Sequence, residues 1–295
     1  MHFGAIIIGD EILSGRRTDR HLSKLIELLD ARGLALAYAY YVGDEPQRIT
    51  DLLRQAFASG DVVFSFGGIG ATPDDHTRQC AARALGVEMA LHPQAAALIR
   101  ERMQDVAREQ GVPYDPDRED NIHRLNMGVF PVGADIIPNP YNKIAGFYCS
   151  AVRGGVLSDA GPPQVAKAPS GGSDRDEVRE RGGVYFLPGF PVMAHPMAEW
   201  VLDSHYRHLF NQTAWSERSV IVFGAMEATL TPLMESLEQQ FAIKVFSLPS
   251  VDHPQFGRHI ELGVKGAPAQ TEAAFAALLH GLRALDAKLG PEMVR

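Results

Sequence analysis

Residues 62–77 read VVFSFGGIGATPDDHT: an apolar run, three glycines, then a threonine, a proline and two aspartates. The apolar run is typical of a buried strand, and the residues from Thr72 onward are typical of a helix start. Glycines let backbone N–H groups approach a phosphate closely, and a helix N-terminus adds favourable partial charge. Asp74 and Asp75 would repel a bare phosphate, but they would hold a divalent cation that bridges to one. This segment therefore predicts a metal-assisted phosphate site.

The same residues also fit an ordinary helix cap. Thr72 and Asp75 have the spacing of a capping box, and Pro73 suits the first position of a helix. The segment also differs from the common nucleotide loops, because no Gly-Lys-Ser/Thr follows the glycines and the G-x-G-x-x-G spacing is absent. Taken alone, the segment leaves both interpretations open.

A second strand at the start of the chain also ends in glycine and acidic residues. The apolar residues 3–8 precede the sequence GDEILSG at residues 9–15. A helix is predicted next, because leucine and isoleucine recur at helical spacing in residues 22–29. The loops that follow the strands of an open parallel sheet emerge at one edge, where ligands bind. We therefore expect Asp10 and Glu11 to lie near the aspartates of the glycine segment.

A third acidic loop follows the strand-like residues 34–42. It contains Gly43, Asp44 and Glu45, and a helix with a regular apolar face comes after it. Two interpretations are open: Asp44 and Glu45 either join the acidic edge or are acids of the first helical turn before Pro46. The second interpretation fits Glu45 better.

Five segments in this order resemble a known family: residues 9–15 (GDEILSG), 42–44 (VGD), 67–77 (GGIGATPDDHT), 139–147 (NPYNKIAGF) and 187–191 (LPGFP). They are similar to the molybdopterin-binding domain of the MoaB/Mog type. The likeness is strongest to the version at the N-terminus of competence/damage-inducible protein A, CinA. It covers most of residues 3–210.

The resemblance implies an α/β fold: a three-layer α/β/α domain with a mostly parallel sheet that binds a phosphorylated pterin or an adenine nucleotide. Relatives of the CinA type are pyrophosphatases that act on ADP-ribose or FAD with a divalent metal. Mog-type relatives adenylylate molybdopterin or insert the metal, and there the acid that corresponds to Asp75 is the functional one. Mog-type relatives are commonly trimers, so the resemblance also implies a homo-oligomer.

From the residues and the resemblance together, we expect a metal-dependent pyrophosphatase that releases AMP. The expected catalytic residues are Asp75, Asp74 and Lys143, where Lys143 would neutralise phosphate charge unless it is simply a solvated lysine. The expected ligand-binding residues are Gly9, Asp10, Glu11, Ser14, Gly43, Asp44, Gly67, Gly68, Gly70, Thr72, Thr77 and Asn139. Asp75, Asp44 and Asp10 would bind Mg²⁺, Mn²⁺ or Co²⁺. The alternatives are a molybdopterin- or nucleotide-binding protein without turnover and a molybdopterin adenylyltransferase.

Composition restricts the class of protein. The 295 residues carry a net charge of −8, which argues against a nucleic-acid partner because such a partner requires a basic surface. Only two cysteines occur, Cys80 and Cys149, so neither a disulfide framework nor a thiolate zinc site is indicated. The N-terminus does not read as a signal peptide, and no apolar run reaches membrane-spanning length. These features predict a cytoplasmic protein without a membrane partner.

The chain divides into two predicted domains. Residues 1–212 form the MoaB/Mog-like domain, which is interrupted at about residues 151–183 by a segment rich in Gly, Pro, Ser, Asp and Arg. We expect a disordered surface insertion there, and a lid over the ligand is the functional alternative. Residues 217–295 read β-α-β-β-α and predict a small α+β accessory domain, closed by a helix from Thr271 to Leu289. We also expect no nicotinamide-nucleotide deamidase activity, since the amidase domain of many relatives is not seen in this sequence.

Overall fold

Strands and helices alternate along residues 1–210. In the computed structural model, which describes residues 1–150, 182–211 and 216–294, this part of the chain is one of two compact units, and residues 211–295 form the other. The strands of the first unit are β1 (Phe3–Ile8), β2 (Leu36–Val42), β3 (Val62–Phe66), β4 (Met89–Leu91), β5 (Val129–Pro131), β6 (Asp135–Ile137), β7 (Gly146–Ser150) and β8 (Gly183–Leu187). Its helices are α1 (Asp10–Leu13), α2 (His21–Asp30), α3 (Pro46–Ser59), α4 (Thr77–Leu85), α5 (Pro93–Glu109), α6 (Glu119–Leu125) and α7 (Pro191–His205).

The predicted insertion at residues 151–183 falls almost entirely outside the described residues. Only its last two residues, Gly182 and Gly183, are described, and Gly183 is the first residue of β8.

The central sheet has the strand order β2-β1-β3-β8-β7-β6. The first four strands of this order are parallel, whereas β7 runs antiparallel to β8 and β6 antiparallel to β7. The chain leaves β1 for β2 on one side, while β3 lies on the other, so a crevice opens beyond the carboxyl ends of β1 and β3. Since β7 is antiparallel, the segment that precedes it reaches the same edge.

Side-chain alternation along β1 explains the three layers. All six residues of β1 are buried, which is the pattern of a strand covered on both faces. Phe3, Ala5 and Ile7 belong to the core that includes α2 and α7. Ile6 and Ile8 belong to the core that includes α3 and α4. The predicted three-layer α/β/α fold with a mostly parallel sheet is confirmed.

The helix after the glycine segment begins later than Thr72, the position that the capping-box pattern predicts. Helix α4 starts at Thr77, and residues 72–75 form a turn in which the Asp75 N–H donates to the Thr72 carbonyl over 3.0 Å. The Asp75 carboxylate bonds back to the Thr72 N–H over 2.9 Å, which closes this turn. Pro73 therefore lies in the turn, so the prediction that it opens the helix is wrong.

The second unit is a two-layer α+β arrangement. Its elements are β9 (Ser216–Phe223), α8 (Glu227–Gln240), β10 (Lys244–His253), β11 (Gly257–Gly266), α9 (Pro268–Ala284) and β12 (Lys288–Val294). The strands form an antiparallel sheet in the order β10-β11-β9-β12. Leu237 of α8 and Leu278 of α9 share its buried core with Leu262 of β11.

The predicted closing helix of this unit is wrong at its end. Helix α9 stops at Ala284, and Asp286 adopts a left-handed backbone conformation (φ 51°) that turns the chain. Lys288–Val294 then pairs with β9 as an edge strand, where the proline and the break in register between Leu289 and Glu292 are tolerated. In the described part of the chain, no helix is both long and apolar enough to cross a membrane.

Candidate functional site

A cleft of about 570 Å³ opens at the carboxyl edge of the parallel strands in the first unit. It is lined by the loops after β1, β2, β3 and β8 and by the segments that precede β5 and β7. Ten residues with an expected role line it: Gly9, Glu11, Asp44, Gly67, Gly68, Gly70, Thr72, Asp74, Asp75 and Asn139. The three acidic loops thus meet at one cavity, as the order of strands and loops requires.

The glycine loop at the base of the cleft needs glycine at two positions. Gly67 and Gly68 have positive φ angles of 102° and 67°. A Cβ atom at Gly67 would collide with the carbonyl oxygen of Ile8, and one at Gly68 would collide with the Thr77 hydroxyl. Any other residue at these positions would be strained and would also displace the neighbouring strand or helix.

Three consecutive N–H groups of this loop are free. The Gly67 N–H donates to the Leu187 carbonyl over 3.0 Å, so it is not available to a ligand. In the described part of the chain, the N–H groups of Gly68, Ile69 and Gly70 have no hydrogen-bond acceptor. All three residues line the cleft. A row of successive unpaired N–H groups is a site for an anion.

Thr77 fixes the glycine loop from behind. Its side chain is fully buried, its hydroxyl donates to the Gly67 carbonyl over 3.1 Å, and its N–H donates to the Gly68 carbonyl over 3.0 Å. Thr77 does not line the cleft. The structure therefore corrects its expected role from ligand binding to support of the loop.

Arg78 is a second support, which the sequence analysis missed. Its guanidinium is buried, and it donates to the Gly70 carbonyl over 2.6 Å and to the carbonyl of Asn126. Burial lowers the pKa of Arg78, and the charge of Asp75 opposes this shift. The signal in the sequence was the position of Arg78 on the buried face of α4, where a charged side chain needs partners.

Asp75 and Asp74 lie beside the open end of the loop. The Asp75 Oδ2 atom accepts hydrogen bonds from both the N–H and the hydroxyl of Thr72. It lies so close to Gly70 that a Cβ atom there would approach it to 2.5 Å. Asp74 is exposed, and hydrogen bonding by the Thr72 side chain is the main cause that lowers the pKa of its carboxyl. Thr72 thus fixes the Asp75 carboxylate beside the end of the row of N–H groups.

Asp10 and Asp44 join the first two acidic loops. Burial is the largest cause that raises the pKa of Asp44, and the charges of Asp10, Glu11 and Asp74 add to it. Gly43 lies against the Asp10 carboxylate, where any side chain at residue 43 would collide with it. Asp10 and Gly43 do not line the cleft themselves. They shape the loops that present Glu11 and Asp44.

Arg17 and Phe190 were not identified from the sequence. Both line the cleft, and the Arg17 guanidinium carbon lies 5.9 Å from the centre of the Phe190 ring. Arg17 follows α1 and Phe190 follows β8, so only the fold brings them together. The sequence has arginines at residues 16, 17 and 20, and no local pattern indicates which of the three enters the cleft.

A family model described as a probable molybdopterin binding domain matches residues 4–208. The chain belongs to this family. The match covers the first unit almost completely, including every loop of the cleft.

Relatives of this molybdopterin-binding domain extend over most of the chain. A protein of Pyrobaculum calidifontis is 28% identical over 283 residues, which are 94% of this chain and 92% of that protein. A CinA-like protein of Geotalea uraniireducens is 28% identical over 280 residues, which are 95% of this chain and 56% of the relative. The chain therefore spans about half the length of this CinA-like relative.

A solved structure supports the same fold. The crystal structure described as the protein CinA with unknown function from Thermoplasma acidophilum has a TM-score of 0.50 at 22% identity, and the likeness covers 69% of this chain and 98% of that chain. Together with the family match, these findings confirm the predicted relation to the MoaB/Mog-like domain and to CinA.

The structure corrects the position expected for Lys143 of this molybdopterin-binding domain. The ammonium lies 2.6 Å from both Glu101 Oε1 and Asp105 Oδ2 on α5. These hydrogen bonds raise the pKa of Lys143, with Asp105 as the larger cause. Its neighbours Asn142 and Ile144 line the cleft, but Lys143 does not. Two carboxylates of α5 thus hold the charge that was expected to face a phosphate.

Ser14 and Asn139 also differ from expectation. Ser14 ends α1 as an exposed residue and does not line the cleft. Asn139 lines the cleft but is buried, and its side chain is occupied by its own loop: the amide donates to Asn142 and Ile144, and the oxygen accepts from the Tyr141 N–H. Asn139 therefore organises the wall of the cleft.

A resident metal site does not fit the carboxylates as they are placed. Among the described residues, no group of three or more His, Cys, Asp and Glu side chains is arranged to hold one metal ion. Asp10 and Asp44 bond to backbone N–H groups of each other, and Asp75 bonds to Thr72. The expected set Asp75, Asp44 and Asp10 therefore does not form a common site.

Proposed function

We propose that this cleft binds the diphosphate of a nucleotide such as ADP-ribose or FAD and hydrolyses it to release AMP. The observation that carries the proposal is the row of three unpaired N–H groups at Gly68, Ile69 and Gly70 in the cleft. Backbone N–H groups in a fixed row bind phosphate oxygens without any rearrangement. The family to which the domain belongs, described as a probable molybdopterin binding domain, supports a phosphorylated ligand.

The charges of the cleft indicate how the ligand enters. Among the residues that the structure describes, four carboxylates line it, those of Glu11, Asp44, Asp74 and Asp75, against the single guanidinium of Arg17. A bare diphosphate would be repelled by this excess of negative charge. Mg²⁺ is commonly held by one or two carboxylates together with the phosphates of a substrate. The proposed substrate is therefore the complex of the diphosphate with Mg²⁺, Mn²⁺ or Co²⁺.

The chain's own groups supply positioning and a base. The N–H groups of Gly68 to Gly70 hold non-bridging oxygens and stabilise the charge that develops on them. Asp75, fixed by Thr72 through one oxygen, accepts the proton of the attacking water with the other. The water oxygen bonds to the phosphorus of the AMP half while the bridging P–O bond breaks. AMP leaves with the new oxygen, and the second phosphate leaves as ribose 5-phosphate or FMN.

The test is product formation by the purified protein. ADP-ribose and FAD are incubated with and without Mg²⁺, Mn²⁺ or Co²⁺, and AMP is measured by chromatography. Cation-dependent AMP release supports the proposal. Absence of AMP under every condition, with a ligand that still raises the melting temperature, contradicts hydrolysis and favours binding alone.

The second candidate is a molybdopterin- or nucleotide-binding protein without turnover. The hydrogen bonds that occupy oxygens of Asp10, Asp44 and Asp75 within the protein favour it. Such a protein would act as a homo-oligomer or through a docked partner, and light scattering measures its mass in solution. A molybdopterin adenylyltransferase is separated from both by ATP consumption that requires the pterin.

A further inference from the structure

Arg17 is the only basic residue among the described residues that line the cleft. Its backbone is anchored, because its N–H donates to the Glu11 carbonyl over 3.0 Å. In the described ranges, no Asp or Glu oxygen lies within 4.0 Å of its guanidinium, although four carboxylates line the same cavity. Within the described residues, the guanidinium is thus a cation without a carboxylate partner in the cleft, and its charge is available to an anionic ligand.

Phe190 is an exposed aromatic side chain on a fixed backbone. Its side chain is 54% exposed, although it is a large apolar residue. Its carbonyl accepts the N–H groups of Met193 and Ala194 over 3.0 and 2.9 Å at the start of α7. The ring is therefore largely exposed at the cleft, with the Arg17 guanidinium carbon 5.9 Å from its centre, on a backbone that a ligand need not order.

The cleft also has an apolar region that a phosphate alone would not use. Met127, Ile144 and Met193 line it together with Phe190. The Met193 sulfur accepts a hydrogen bond from the Asn142 amide over 3.2 Å, which fixes this side chain. Apolar and aromatic walls next to a few polar groups are typical of a pocket for a flat organic ring.

We propose that Arg17 and Phe190 form a clamp that selects ligands in which a phosphate is joined to a flat heteroaromatic ring. The Phe190 ring stacks on the heteroaromatic ring of the ligand, and the Arg17 guanidinium pairs with its phosphate. The clamp distinguishes a phosphorylated base or pterin from a phosphosugar of the same charge. It rests on the proposed phosphate ligand but not on its hydrolysis.

The experiment compares two ligands that differ only in the ring. AMP and ribose 5-phosphate carry the same phosphosugar, and their affinities are measured by titration calorimetry in the presence of Mg²⁺. The wild-type protein should bind AMP at least about tenfold more tightly, which is the effect of one base stacked on an aromatic side chain. Phe190→Leu should remove this difference and leave the affinity for ribose 5-phosphate unchanged. Phe190→Trp should restore tight AMP binding and should show quenching of the new indole by AMP.

Arg17→Gln tests the second half of the clamp. It should weaken both ligands by a similar factor of about ten, because both carry the phosphate. The matched control is Arg16→Gln, since Arg16 is the adjacent exposed arginine and does not line the cleft. Arg16→Gln should bind both ligands as the wild-type protein does. An equal loss in the two arginine variants would show a general charge effect and would overturn the role of Arg17.

The outcomes separate this proposal from the proposed function. Equal binding of AMP and ribose 5-phosphate by the wild-type protein overturns the clamp and keeps the phosphate site. AMP affinity that is unchanged in Phe190→Leu also overturns the clamp and keeps the phosphate site. Binding of neither ligand removes both proposals together. Selective AMP binding without any hydrolysis of ADP-ribose supports the clamp while it removes the pyrophosphatase.

Discussion

Asp10 and Asp44 each accept a hydrogen bond from the backbone N–H of the other, over 2.9 Å to Asp44 Oδ2 and 3.3 Å to Asp10 Oδ1. This reciprocal pair joins the loop after β1 to the loop after β2 at the carboxyl edge of the sheet. It also brings two negative charges together in a partly buried place. The structure gains a fixed edge for the cleft, and the ionised form of Asp44 is destabilised as a result.

Asp44→Asn should stabilise the protein at neutral pH. The pKa of Asp44 is raised in the folded state above its ordinary value of 3.8, first by burial and then by neighbouring carboxylates. The folded state therefore favours the protonated acid, and that stabilisation is lost as the pH rises through the raised pKa. At pH 7 the variant should melt about 2 °C higher, equivalent to less than 1 kcal/mol. The difference should shrink as the pH falls towards 4.

The control for Asp44→Asn is Asp30→Asn. Asp30 is exposed at the end of α2, and its side chain makes no hydrogen bond or ion pair within the described residues. Both variants reduce the net charge of −8 equally. A Tm that rises as much in Asp30→Asn, or a difference that does not depend on pH, would contradict the assigned cause.

Thr77→Val should destabilise the glycine loop. The substitution keeps the shape of the side chain but removes the hydroxyl that bonds to the buried carbonyl of Gly67. An unpaired buried carbonyl costs about 1–3 kcal/mol in the free energy of unfolding. Chemical denaturation measures this loss, and AMP affinity should fall with it. Thr77→Ser keeps the hydroxyl and should retain most of the stability; a loss in Thr77→Ser as large as that in Thr77→Val would contradict the role of the hydroxyl, because only the valine variant lacks it.

Arg78→Met should weaken phosphate binding, although Arg78 does not line the cleft. Arg78 holds the carbonyls of Gly70 and Asn126, so its loss frees one end of the row of N–H groups. Hydrogen bonds to a charged group contribute about 1.5–3 kcal/mol, so we expect AMP affinity to fall by about tenfold or more. Arg83→Met on the same helix, where the side chain is exposed, is the control. Unchanged AMP binding in a folded Arg78→Met protein would contradict the positioning role.

Lys143→Met should leave ligand binding unchanged within about twofold. Its ion pairs with Glu101 and Asp105 are partly exposed, since the Lys143 side chain is 39% exposed, and such pairs contribute about 1 kcal/mol or less to stability. Calorimetry with AMP and a denaturation curve measure the two effects. A tenfold loss of AMP affinity would instead restore the sequence-based expectation that Lys143 neutralises a phosphate.

Much of the fold follows from local patterns in the sequence. Around β1 and again around β3, an apolar strand is followed by a glycine turn and then a helix. These patterns can be read from neighbouring residues alone. The convergence of the loops that carry Glu11, Asp44 and Asp75 then follows from parallel strands, since their carboxyl ends share one edge. The order of the elements was therefore predictable, together with the edge of the sheet that holds the cleft.

Side-chain partners across long sequence distances were not predictable. Lys143 meets carboxylates 38 and 42 residues earlier in the chain, and no local pattern indicates which cation a carboxylate of α5 will hold. Arg17 and Phe190 belong to segments that the fold alone brings together. Strand β12 contains Gly290 and Pro291, which interrupt the alternation of apolar and polar residues typical of a strand. Its pairing with β9 decides its conformation. These features depend on tertiary contacts, which override local propensity.

The most direct measurement is AMP release from ADP-ribose by the wild-type protein and Asp75→Asn, with Mg²⁺, Mn²⁺ or Co²⁺ present. The asparagine oxygen can still accept the N–H and hydroxyl of Thr72, so the turn and the melting temperature should be preserved. We expect the wild-type protein to release AMP and the variant to do so at least about 100-fold more slowly, which is the contribution of a positioned base. A folded Asp75→Asn protein that releases AMP at the wild-type rate would contradict hydrolysis with Asp75 as the base.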